Sequence, residues 1–289
     1  MRVANKTIYD AVKYNLSNCT REMNKANVIV STGKRINNLS DDPVGLMQAL
    51  NLRSAISNFE QMQRNISLGN SWLTSSESAL TNVQDIISDT KALCVQMATA
   101  TTGPGERLSA AGTVQNMLDE IISLANTHVA GNYIFSGSKT DTTPFSSDGT
   151  YSGNNNAFTV KIGKDATVEV GSDGDAVFGN IFITMADLKT ALETNDVGGI
   201  QDAMSNLDGH FDDISAKISD VGSKMNRMDL KEKIFQDLNF ANTDRLSKIE
   251  DADLAEAIME LKSRELAYQA ALSSSAKLMT LTLIDYMQQ

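Results

Sequence analysis

The stretch Asp251–Tyr286 constrains the fold more than any other part of the chain. Its large apolar residues recur at steps of four and three positions, once Glu265 and Ser275 are counted in the register, and this is the spacing of a coiled-coil seam. No Pro or Gly interrupts it. A single helix over this stretch is about 54 Å long, so it needs another segment to cover its stripe. The stripe consists of Leu254, Ile258, Leu261, Tyr268, Leu272, Met279, Leu283 and Tyr286.

The start of the chain carries a matching stripe with the same spacing, which predicts a second coiled-coil helix. Gly33 follows it and suits the left-handed turn after a helix. The N-terminal stripe is the simplest partner for the C-terminal one, which predicts an elongated rod with both termini at one end. Its residues are Ile8, Val12, Leu16, Cys19, Met23, Ala26 and Val30.

A long helix is predicted after a polar loop. Asp42 is placed to cap its N-terminus and Pro43 to occupy its first position. The apolar pattern continues to about Met97, and Gly69 is the only local breaker, at a cost of about 1 kcal/mol. The segment Thr101–Gly105 then closes the helix as a turn.

A third helix is predicted over Leu108–Val129, antiparallel to the second if the turn is tight. From Gly131 the composition changes to Gly, Ser, Thr, Asn and Asp. Two strand-like runs, 158–162 and 167–170, lie within this region between turn clusters. The pattern indicates a small β-rich insert between helices.

Helical periodicity resumes near Thr184, first as a short helix to about Asn195. A long apolar stripe then runs from Leu207 towards Ile249. The segment Asp251–Asp253 either caps the last helix or lies inside a continuous one, and the residues favour neither reading.

The predicted fold class is therefore mainly α with a small β-rich insert. The terminal helices form an α-helical coiled coil, long helices form a bundle in the middle, and the β domain lies at the far end. The predicted boundaries are 1–44 and 250–289 for the terminal helices, 45–137 and 184–249 for the two halves of a helical rod, and 138–183 for the insert.

The formal net charge is −11. Nucleic acid is a poor partner for such a chain, because phosphate binding needs clustered Lys and Arg. An anionic membrane surface is disfavoured for the same reason. No apolar run reaches a membrane span, and the N-terminus lacks the apolar region of a cleaved secretory signal. The composition predicts a cytosolic protein, or one exported without a cleaved signal.

Candidate catalytic and metal-binding residues are few and scattered. His128 lies beside an apolar helical face, and His210 is expected to be exposed or to cap a helix. Cys19 and Cys94 lie on apolar faces and are expected to be buried thiols rather than a disulfide. The adjacent pair Asp41-Asp42 precedes Pro and is expected to cap. We predict no enzyme, no cofactor and no metal.

Three groups of residues resemble the bacterial flagellin superfamily. The loop Ser31–Gly45 (STGKRINNLSDDPVG) is similar to its N-terminal signature. Gly131–Gly137 with Thr142–Phe145 resembles the border of the insert in the FlgL-type, hook-associated branch. Glu265–Leu272 and Leu283–Tyr286 resemble the C-terminus of that branch more than the usual flagellin ending.

This resemblance implies a structural protein of the extracellular flagellum, exported through the flagellar type III channel without a cleaved signal. It implies self-assembly into a tubular junction, with a hook-associated protein on the hook side and flagellin on the filament side. A cytosolic export chaperone is also implied. The alternatives are a filament-forming flagellin and, as a third class, an enzyme or a signalling coiled coil.

We expect the terminal stripes to form the assembly interface. A two-helix seam buries too few apolar side chains to offset the entropy of ordering both segments. Segments 1–40 and 250–289 are therefore predicted to become ordered on assembly. The interface residues are Ile8, Val12, Leu16, Met23, Val30, Leu254, Ile258, Leu261, Tyr268, Leu272, Met279 and Leu283.

Overall fold

The computed structural model describes the backbone of residues 2–287 and the side chains of residues 6, 7 and 9–277. Long helices dominate this range, with two small antiparallel strand pairs, so the predicted mainly α fold with a β-rich insert is confirmed. The helices are α1 Arg2–Thr32, α2 Pro43–Met97, α3 Pro104–Ala125, α4 Asn180–Glu193, α5 Val197–Glu250 and α6 Leu254–Met287. The strands are β1 His128–Val129, β2 Asn132–Tyr133, β3 Thr159–Lys161 and β4 Thr167–Glu169.

The chain divides into two compact units. The terminal unit comprises Met1–Asn58 and Leu238–Gln289, and the central unit comprises Phe59–Asp237. These divisions fall inside α2 and α5, whereas the predicted limits of the terminal helices, 44/45 and 249/250, lie near the start of α2 and the end of α5. Periodicity marks where a helix begins and ends, but it does not show where along a continuous helix the packing partners change.

Within the central unit, α2 and α5 run antiparallel. The Gln84 side chain donates to Ser215 Oγ at 2.6 Å, and the rings of Phe59 and Phe235 stack with centroids 5.6 Å apart. Residues later in α2 thus contact residues earlier in α5. Side chains from all four helices of the central unit form one buried apolar cluster, including Ile66, Leu73, Ile87, Val114, Ile121, Met185, Leu188, Leu207 and Ile214.

The third helix is shorter than predicted. It ends at Ala125, and Val129 lies in β1, so the prediction of a helix to Val129 is wrong. Ala130 and Gly131 have φ values of 50° and 85°, as a two-residue hairpin turn requires. Val129 therefore pairs with Asn132 across the hairpin instead of continuing the helix.

The two strand-like runs of the insert are confirmed. They pair as β3 and β4, with Val160 opposite Val168, and both valines are buried. Just before β3, the Phe158 ring lies 4.7 Å from that of Trp72, centroid to centroid. The hairpin thus packs directly on α2.

The helix after the insert begins earlier than predicted. A π-helical turn, Asp175–Gly179, leads directly into α4 at Asn180, ahead of Thr184. Phe178 is fully buried and makes edge-to-face contacts with Phe135 and Phe145. This aromatic packing holds the turn against the insert.

The histidines and cysteines have structural surroundings. His128 is exposed in β1. His210 is half-buried and lies 2.9 Å from Thr184 Oγ1, so the prediction that it is exposed or caps a helix is wrong. Both cysteines are free; Cys94 is buried, as predicted, whereas Cys19 is only half-buried. Burial raises the pKa of the Cys94 thiol to about 11.

Candidate assembly interface in the terminal unit

The N-terminal stripe forms one face of α1, which packs against α6. The described members of the stripe are all buried or half-buried: Val12, Leu16, Cys19, Met23, Ala26 and Val30. Exposed residues separate them along the helix, including Lys13 and Asn24. The predicted 4-3 spacing of α1 is therefore confirmed over these positions.

The seam on α6 is only partly the predicted one. Leu261 and Tyr268 are half-buried, as the register requires. Leu254, Ile258 and Leu272 are 51%, 49% and 42% exposed, so the prediction that they pack in the seam with α1 is wrong. The neighbouring small residues Ala257 and Ala271 are the more buried ones. Successive residues of a helix point about 100° apart. Because Ala257 and Ala271 take the more buried positions, the large side chains of Leu254, Ile258 and Leu272 point outward.

Three predicted interface residues, Ile8, Met279 and Leu283, lie outside the side chains that the structure describes. For the others, the structure separates two groups. The α1 residues with Leu261 and Tyr268 occupy the seam between the helices. Leu254, Ile258 and Leu272 remain available on the surface of the single chain.

The two connections that lead into the helix pair are hydrogen-bonded to each other. The Arg35 amide donates to the Glu250 carbonyl at 2.6 Å, and the Ala252 amide donates to the Gly33 carbonyl at 2.9 Å. Gly33 has the predicted left-handed conformation, with φ +67°. The residues after α1 thus form a short antiparallel bridge with those between α5 and α6.

The carboxylate of Glu250 completes this junction. Its Oε2 accepts hydrogen bonds from Lys34 Nζ at 2.8 Å and from Arg53 Nη2 at 2.6 Å. The side chain is only 4% exposed. Burial opposes ionisation, but the hydrogen bonds from the two cations outweigh it, and the pKa of Glu250 is lowered. Sequence reasoning missed Glu250 because its partners are distant along the chain.

Aspartates fix the turns around the junction. Asp42 Oδ1 accepts from the Gly45 amide at 2.8 Å and caps α2, as predicted. Asp253 Oδ1 accepts from the Ala255 amide at 2.8 Å, so α5 and α6 are separate helices and Asp253 caps the second. Asp41 pairs with Lys25 at 3.0 Å. Hydrogen bonds from Lys25 and from backbone amides lower its pKa.

The terminal unit has a small core and an apolar surface. Among its described side chains, the buried apolar ones are Ala26, Ile36, Ala49 and Ala257. Large apolar side chains are exposed instead, and Phe240 is 79% exposed. Exposed large apolar side chains mark an interaction site where they form one patch. The exposed residues are Tyr9, Tyr14, Val28, Leu39, Val44, Met47, Leu50, Leu238, Phe240, Leu254, Ile258, Met259, Leu266 and Leu272.

Metal-binding clusters and membrane-spanning helices are absent from the described part of the chain. It contains no group of three or more His, Cys, Asp or Glu side chains placed to hold a metal ion. No helix within it combines the length and apolarity that crossing a membrane requires.

Two family models match the chain. The bacterial flagellin N-terminal helical region matches residues 3–140, and the bacterial flagellin C-terminal helical region matches residues 204–287. Together they cover more than half of the sequence. The chain belongs to the bacterial flagellin family. The N-terminal match contains α1 and all of α2, and the C-terminal match contains most of α5 and all of α6.

Individual relatives of this flagellin-family chain fall into two groups. Flagellar hook-associated protein 3 of Escherichia coli is 31% identical over 183 residues, which is 63% of this chain and 58% of that protein. A flagellar filament core protein of Brachyspira hyodysenteriae is 30% identical over 105 residues, 36% of this chain and 37% of that protein. The chain thus spans less than two thirds of the length of either.

A solved structure agrees with the fold. The crystal structure of Bacillus cereus FlgL superposes with a TM-score of 0.62 at 25% sequence identity, covering 68% of this chain and 99% of that one.

Proposed function

We propose that this flagellin-family protein is a structural adapter that joins the flagellar hook to the filament. The apolar surface of the terminal unit is the observation that carries the proposal, because a structural subunit needs such a surface to bind its neighbours. The longer of the two sequence matches is to a hook-associated protein, which favours the junction over the filament.

Burial of the exposed apolar side chains supplies free energy for assembly. Full burial of one large apolar side chain contributes about 1.5–3 kcal/mol. Leu254, Ile258 and Leu272 are each about half exposed in the single chain, so contact with neighbouring copies buries further area on each. Because the terminal unit has few buried apolar residues of its own, packing between copies supplies the core that it lacks.

Its partners follow from this role. Copies of the chain assemble into a tubular junction, with a hook-associated protein on one side and flagellin on the other. Before assembly, a cytosolic export chaperone covers the apolar surface of α6. The protein reaches the cell exterior without cleavage of a signal peptide.

A filament-forming flagellin is the second candidate, favoured by the match to a filament core protein. The two functions predict different distributions along the flagellum. Immunogold labelling of a junction adapter marks a short zone at the hook tip. Labelling along the whole filament would overturn the adapter and support the flagellin.

The assembly surface is tested by adding one charge to it. Leu272→Asp places a carboxylate on an exposed position of α6, so we expect the single chain to keep its thermal stability while assembly, measured by sedimentation, is lost. A buried unpaired charge at a subunit interface costs several kcal/mol. Val95→Asp is the matched control, since Val95 is 58% exposed in the central unit.

A charge placed in the half-buried seam between α1 and α6 gives a second test. Leu261→Asp is expected to weaken both the single chain and the assembly, because Leu261 already packs within the helix pair. Normal assembly of the Leu272→Asp protein would contradict the assignment of the exposed face. Equal losses from Leu272→Asp and Val95→Asp would contradict its location in the terminal unit.

A further inference from the structure

Three parts of the terminal unit meet on one carboxylate. Glu250 ends α5, Lys34 lies in the connection between α1 and α2, and Arg53 lies on α2. Oε2 of Glu250 binds both cations. The backbone carbonyl of Glu250 also accepts a hydrogen bond from the Arg35 amide. The Glu250 side chain therefore links the end of α5 to the connection between α1 and α2 and to α2 itself.

We propose that Glu250 is a positioning residue, whose ion pairs with Lys34 and Arg53 hold the α1–α6 pair in the arrangement that assembles. This proposal rests on the proposed function. Glu250 does not touch a neighbouring copy in this role. It acts through the two connections, which it keeps together at the entrance to the helix pair.

Apolar packing in the terminal unit contributes little to holding the α1–α6 pair in one arrangement. Ile36 is the one large side chain among the buried apolar residues of the described terminal unit, the others being alanines. Buried ion pairs add little net stability, and in some proteins they fix geometry instead. Beside the carboxylate of Glu250, the two connections are joined by the backbone hydrogen bonds of Arg35 and Ala252 and by the Arg35 side chain, which donates to the Ile249 carbonyl.

The charged groups around the Glu250 carboxylate favour its ionised form. Lys34 and Arg53 bind it directly, and Arg35 donates to the Ile249 carbonyl beside it. Asp251 is the neighbouring acid, and its carboxylate is engaged by Ser247. A carboxylate whose pKa is lowered by folding contributes stability above its unfolded value and loses it in acid. Assembly should therefore fall as the pH drops below about 4.3, the ordinary pKa of glutamate.

The test uses the full chain with Glu250→Gln and Arg53→Met as single and double variants. Hydrogen exchange by mass spectrometry reports on peptides that contain the Arg35 and Ala252 amides. We expect E250Q to accelerate exchange there about tenfold, with no change around Leu73 in the central unit, and to slow assembly about tenfold. We expect the double variant to be no slower than E250Q, because both singles break the same contact.

Asp244→Asn is the matched control. Asp244 lies on the same helix and pairs with Lys248 at 2.7 Å, with half of its side chain exposed. Exposed pairs of this kind contribute little, so D244N should match the wild type in exchange, in assembly and in its loss of assembly in acid. E250Q should instead lose the part of the acid sensitivity that comes from Glu250.

Each outcome decides the proposal. Unchanged exchange at the two connections in E250Q overturns it, and so does faster exchange with normal assembly. An additive double variant would show that Glu250 and Arg53 act separately. If the wild-type chain fails to assemble, the proposed function fails instead, while the exchange measurement still decides whether Glu250 holds the connections.

Discussion

A side-chain carbon on Gly137 would lie 2.1 Å from the backbone carbonyl oxygen of Asn154. Gly137 also has φ +68°, a conformation that other residues adopt at a cost. We expect Gly137→Ala to destabilise the protein by more than about 2 kcal/mol, since strain and a backbone clash combine. The free energy of unfolding in urea measures the change.

Gly131 provides the comparison for this prediction. It has φ +85°, but an added side-chain carbon would meet no atom within 4 Å. Gly131→Ala should therefore cost only the conformational term, about 1–2 kcal/mol. Equal losses from the two substitutions would show that the contact with Asn154 is not a close one.

Arg107 is buried at the point where α2 ends and α3 begins. Its guanidinium donates to the carbonyls of Met97 and Thr99, at 2.9 and 3.1 Å, and to Asn195 Oδ1 at 2.5 Å. Arg107→Met leaves these acceptors without a donor, at about 1–3 kcal/mol each when they stay buried. We expect the free energy of unfolding, measured in urea, to fall by about 3 kcal/mol or more. Arg64→Met, at an exposed position, should change stability by less than about 0.5 kcal/mol.

His210 makes stability depend on pH near neutrality. Burial lowers its pKa, although the charge of Asp213 acts in the opposite direction. The folded state therefore binds a proton less readily than the unfolded state, and stability is lost as the pH falls through about 6.5. Comparing urea midpoints at pH 7.5 and 5.5 should show this loss in the wild type and a smaller one in His210→Gln. The control is His128→Gln, a substitution of the exposed histidine in β1.

The two thiols should react at different rates. Cys94 is 1% exposed and its pKa is about 11, so little thiolate is available. Cys19 is half-buried on α1. We expect a disulfide reagent to modify Cys19 first in the single chain, and Cys19→Ser to remove the fast phase. Assembly through the proposed interface should slow the reaction of Cys19, because that interface includes α1. Two equal rates in the single chain would contradict the burial of Cys94.

Sequence reasoning was most successful where local chemistry decides structure. Asp42 and Pro43 set the start of α2, and Gly33 ends α1 with a left-handed turn. The repeat from Val12 to Val30 identified the packed face of α1. In each case the deciding contacts lie within a few residues, so the pattern carries enough information.

Sequence reasoning failed where packing between distant segments decides. Periodicity put Leu254, Ile258 and Leu272 in the seam, but the structure buries the adjacent Ala257 and Ala271. The apolar pattern up to Val129 resembled a helix, although the Ala130–Gly131 turn pairs that residue in a strand. No local signal identified Glu250, because Lys34 precedes it by 216 positions.

That separation has a consequence for the order in which the protein folds. Long loops are slow to close, and contacts that are distant along the chain form late. The central unit lies entirely between Arg53 and Glu250, so its contacts can form before these two residues meet. The terminal unit is then completed last, when the final fifth of the sequence returns to its beginning. A subunit that folds in this order completes its central unit before the proposed assembly surface forms, which would limit premature association between copies.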